Sequence, residues 1–97
     1  MNTTVTFRHT KGHHPELNSR ALKTAEGFEK YHNDIISTNV EFINEANKIV
    51  QFQVHVPDNT IVAKHASDDF HKSLNEASDK VVRQLKKWKT KHKNGRG

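Results

Sequence analysis

Residues 80–93 hold a ladder of cations at helical spacing. Lys80, Arg83, Lys87 and Lys91 recur at i, i+3, i+7 and i+11 and climb one flank. Lys86, Lys89 and Lys93 climb the other. Glu76 and Asp79 stand four residues before Lys80 and Arg83, where i,i+4 pairing is expected to occupy part of their charge. No acid lies within four residues of Lys86, Lys87, Lys89, Lys91 or Lys93. Such a run repels itself unless an anion joins it, and the phosphates of a nucleic acid are the anions that suit it. Lys23, in the first helix, extends the same argument to a second element.

The eight histidines suggest a different chemistry, above all His9 and the Gly12-His13-His14 run. A zinc site needs several convergent ligands at defined spacing, but the chain has no cysteine and no H-E-x-x-H motif. No metal and no cofactor are therefore expected. A metal-assisted nuclease would have to use His9, His13 and His14. No P-loop, G-x-G-x-x-G or Ser/His/Asp order supports catalysis, and the expectation is a protein that is not an enzyme. His55 and His65 are expected on an open, polar sheet face.

These residues need elements to position them. Val5 and Phe7 alternate within residues 3–9 among β-branched threonines, predicting a first strand. Pro15 suits the first position of a helix, because its missing N–H would be unpaired there. That helix carries Leu17, Ala21, Ala25 and Phe28 inward, helped by Leu22, and ends near residues 31–33. Residues 35–43 predict a second strand with Ile36, Thr38, Val40 and Phe42 on one face. The third, residues 49–56, alternates Val50, Phe52, Val54 and Val56 with Gln51, Gln53 and His55. After the Pro57-Asp58-Asn59 turn, residues 60–66 form a fourth strand. The last helix spans residues 68–93, with Ser67 or Asp68 as its cap and Phe70, Leu74, Ala77, Val81, Leu85 and Trp88 as its apolar stripe. Trp88 is expected in or at the edge of the core rather than as a base-stacking platform.

The order β-α-β-β-β-α makes strands one and two parallel and strands two to four an antiparallel meander. The fold class is α+β, with both helices on one face of a four-stranded mixed sheet, as in double-stranded RNA-binding domains. Its 97 residues suit one domain, with a basic, flexible end at about 94–97. The formal charge is +5, but residues 1–79 carry −3 and residues 80–97 carry +8. This asymmetry points to a polyanion, either nucleic acid or an anionic membrane. The membrane reading is the poorer one, because the last helix needs its apolar stripe to close the core. No apolar run approaches a spanning helix, and the N-terminus has no signal-like segment, so a cytoplasmic location is expected.

One stretch carries a family resemblance. Asp79-Lys80-Val81-Val82-Arg83-Gln84-Leu85-Lys86-Lys87-Trp88-Lys89, preceded by Asp69-Phe70 and by Val54-His55-Val56-Pro57, resembles the ribosome hibernation promoting factors and ribosome-associated inhibitors. Leu17 and Glu29-Lys30-Tyr31 with Ile35 match as well, so the similarity runs over about residues 3–93. The resemblance implies a factor that binds the small ribosomal subunit and its 16S-type rRNA in the channel for mRNA and tRNA. It would silence translation in resting, stationary-phase or stressed cells, with no DNA partner, and would be monomeric off the ribosome. By position, the RNA contacts it implies are Lys80, Arg83, Lys87 and Lys89; the charge argument adds Lys86, Lys91, Lys93 and Lys23. Lysines usual in the family's first helix fall here on Thr24 and Gly27, and its usual Gly-Gly after the third strand is Asp58-Asn59. The chain resembles the short members, which lack an added dimerisation domain. The competing class is a generic double-stranded RNA-binding module, which reads shape and phosphates.

Overall fold

The computed structural model describes the backbone of residues 2–96 and the side chains of residues 2–88. Its elements are β1 (Asn2–Arg8), α1 (Pro15–Phe28), β2 (Ser37–Asn44), β3 (Lys48–Val56), β4 (Asn59–Ser67) and α2 (Phe70–Arg96). They form one sheet in the order β1-β2-β3-β4. β1 runs parallel to β2 with Val5 beside Val40, and the other two pairings are antiparallel. This is the expected α+β arrangement. α2 continues to Arg96, through most of the stretch expected to lie beyond the helix.

Strand alternation sorts the side chains. Val40, Phe42, Val50, Phe52, Val54, Val56, Ile61 and Ala63 turn to one face and are buried. Ala21, Ala25 and Phe28 of α1 and Leu74, Ala77, Val81 and Leu85 of α2 join them in a single core. Both helices therefore cover that face. The other face is polar, with a groove of about 250 Å³ lined by Thr4, Thr6, Asn39, Glu41, Gln51 and Gln53. Ring contacts knit the core across elements: Phe28 meets Phe52 edge-on at 5.4 Å, and Phe42 stacks on Phe7 at 4.9 Å.

Several local expectations are corrected. Leu22 points outward, because residues 21, 25 and 28 already define the inward stripe of α1. β2 begins at Ser37, so Ile35 is buried instead of Ile36, which is 59% exposed. His65 pairs with Val50 on the helix-covered side of the sheet, whereas His55 does lie on the polar face and sits 3.2 Å from Thr60 Oγ1. The cap of α2 is Asp69, not Ser67 or Asp68: its Oδ2 accepts the Lys72 N–H at 3.1 Å and its carbonyl accepts the Ser73 N–H at 3.0 Å. Ser67 stays in the cap region, its Oγ accepting the Asp69 N–H at 3.2 Å. The buried Ser73 hydroxyl donates to the Lys48 carbonyl at 2.6 Å and lies 2.6 Å from Ser67 Oγ. The start of α2 is thus tied to the ends of β3 and β4.

Candidate nucleic-acid interface

The inward stripe of α2 determines where its cations point. Leu74, Ala77, Val81 and Leu85 are 0–1% exposed, so this line faces the sheet and orients the whole helix. With Val81 as the inward direction and about 100° per residue, Arg83 points roughly 160° away and Lys87 roughly 120°. Both are exposed. Lys86 is also exposed and lies on the shoulder nearer α1, where its ammonium stands 5.5 Å from the centre of the Tyr31 ring. That contact is a cation–π geometry, which steadies a long side chain while leaving its charge facing outward.

Lys80 is placed differently. It is only partly exposed, and its Nζ donates to the Lys64 carbonyl on β4 at 2.9 Å. Among the described residues, no ion pair joins Glu76 to Lys80 or Asp79 to Arg83. The expected i,i+4 pairing is thus replaced by a strand carbonyl for Lys80, and the Arg83 guanidinium is left to solvent. Lys89, Lys91 and Lys93 are on α2, but their side chains lie outside the described residues. Lys23 is exposed on α1, where it lines a recess of about 240 Å³ with Ser19, Arg20 and Thr24. Arg20, in the same recess, is a further cation that the reading by spacing did not single out.

Trp88 takes the expected core-edge position. It packs against the core, with its ring centroid 4.2 Å from that of His32. His32 is buried, and its Nδ1 accepts the Asp34 N–H at 2.9 Å. The histidines of the nuclease alternative do not converge: His14 stacks on Phe7 at 4.9 Å, while His13 is exposed. Among the described residues, no three of His, Asp and Glu gather into a group that could hold a metal ion. No helix among those residues is long and apolar enough to cross a membrane.

The geometry is therefore a basic helix face, oriented by its buried opposite stripe, on a small mixed-sheet domain. The family of sigma 54 modulation proteins / S30EA ribosomal proteins matches residues 3–93, and this chain belongs to it. A ribosomal subunit interface protein from Coxiella burnetii is similar at 27% identity, with a TM-score of 0.83 over 93% of this chain and 99% of that one. The N-terminal domain of Protein Y from Thermus thermophilus shares the fold, with a TM-score of 0.81 at 15% identity over 91% of this chain and 99% of that one. Comparison with curated proteins returns no match. The family resemblance read from the last helix and the end of β3 is thus borne out over the same span.

Proposed function

We propose that this chain is a ribosome hibernation factor: it binds the small ribosomal subunit in the mRNA and tRNA channel and inhibits translation in resting cells, acting in the cytoplasm without catalysis. The observation that carries this reading is the division of labour within α2. One face is consumed by the core through Leu74, Ala77, Val81 and Leu85, and the opposite face presents Arg83, Lys86 and Lys87 to solvent. Lys89, Lys91 and Lys93 continue the ladder in sequence, and Lys23 of α1 adds a cation from a second element. Phosphate neutralisation by this face supplies the affinity for 16S-type rRNA, and bulk in the channel supplies the inhibition. Membership of the S30EA ribosomal protein family supports the choice of partner. No base-specific contact, DNA or second copy is required.

Cosedimentation with purified small subunits tests the proposal, with an excess of free RNA duplex as competitor. Binding that survives the duplex, and translation that falls as the protein is added, is the expected result. Equal competition by the duplex would instead make this a generic double-stranded RNA-binding module.

A further inference from the structure

Among the described residues β4 is an edge strand, with no further strand on its outer side. Exposed strand edges offer unpaired backbone groups to other chains, and folded proteins blunt them. Here two side chains of α2 do so. Lys80 Nζ donates to the Lys64 carbonyl at 2.9 Å, and Gln84 Nε2 donates to the Val62 carbonyl at 3.1 Å. Val62 and Lys64 lie two residues apart, so their carbonyls project from the same side of the strand. Lys80 and Gln84 lie one turn apart, on the same shoulder of the helix. The spacing matches on both elements: one helical turn spans roughly 5.4 Å and two strand residues span roughly 6.5 Å.

We propose that Lys80 and Gln84 are a latch that docks α2 along β4, closing that sheet edge and setting the orientation of the basic face. Lys80 is then a positioning residue, with one N–H of its ammonium given to the strand carbonyl. Lys86 against Tyr31 steadies the opposite shoulder, so the helix is held from both sides while Arg83 and Lys87 project between them. Gln84 also supplies the means of separating reach from charge. Lys80→Gln keeps an N–H donor at position 80 with no charge, the kind of donor that Gln84 uses one turn on.

The test compares Lys80→Met, Lys80→Gln and Gln84→Met with the parent chain, and only its final arm rests on the proposed ribosome binding. Lys80→Met and Gln84→Met each lower Tm by about 4–8 °C, the shift carried by one net hydrogen bond in a domain of this size, and Lys80→Gln recovers most of it. The Lys80→Met/Gln84→Met double variant self-associates with rising concentration in sedimentation velocity more than the parent does. An unchanged Tm in Lys80→Met, or an equal loss in Lys80→Gln, overturns the latch. In the final arm, log K for small subunits against log salt keeps the parent's slope in Lys80→Gln. A slope flatter by about 0.7–0.9, the share of one phosphate contact, would show that the Lys80 charge meets RNA and would overturn its assignment as a positioning residue. If the parent does not bind small subunits, the ribosome reading fails, and melting and sedimentation still decide the latch.

Discussion

Asp58 sits at φ 66°, in the left-handed region, within the two-residue link between β3 and β4. With Pro57 before it, the link has the pattern of a type II turn, whose second central residue favours glycine. Glycine there removes the Cβ clash, partly offset by its greater freedom in the unfolded chain. Asp58→Gly is therefore expected to stabilise by ~0.5 kcal/mol, raising Tm by a few degrees in a thermal melt. Ser73 is a contrasting case: it is fully buried, and its hydroxyl serves the Lys48 carbonyl. Ser73→Ala should cost about 1–3 kcal/mol in urea unfolding, because a buried acceptor loses its partner. Neither position was legible at the level of contacts. Ser67, Asp68 and Asp69 all cap helices well by type, so composition alone could not select Asp69. Nor could helical spacing reveal that Lys80 would leave its i−4 acid for a carbonyl sixteen residues earlier.

Elements were more legible than residues because periodicity reports burial directly. Strict alternation in β3 and the 3–4 spacing in α2 placed both correctly, since each buries one face only. β4 defeats the same reasoning. Ile61, Val62 and Ala63 are apolar on both parities, so the pattern did not say which face was core, and His65 was assigned to the wrong one. Val62, 47% exposed, is the large apolar residue that β4 leaves outside. Within α2 the two jobs are separable by mutation. Leu85→Ala should cost ~2–5 kcal/mol, a large share of a small domain's stability, and should weaken small-subunit binding only in step with the unfolded fraction measured by circular dichroism. Arg83→Gln and Lys87→Gln together should change stability by no more than about 0.5 kcal/mol, because both side chains face solvent. A large stability loss in that pair would mean that the outer face is structural.

At the scale of the whole molecule, the account is an electrostatic one. A domain whose first 79 residues carry −3 presents +8 along its last 18. Its 27-residue final helix spans roughly 40 Å, well beyond the strands it packs on. The helix thus continues past the residues that close the core, and the sequence sets Lys89, Lys91 and Lys93 on that continuation. The fold and the outward basic face were legible together because the same helix encodes both in alternating faces; the choice of partner proposed above rests on the family, since phosphate neutralisation alone is indifferent to which RNA supplies the phosphates. The most direct measurement is the affinity for purified small subunits across a salt series, for the parent and for the Arg83→Gln/Lys87→Gln variant. Each neutralised phosphate contributes about 0.7–0.9 to the slope of log K against log salt, so the account predicts a steep parent line and a variant line flatter by about 1.4–1.8. An affinity that barely changes with salt, or a variant line parallel to the parent's, would contradict it.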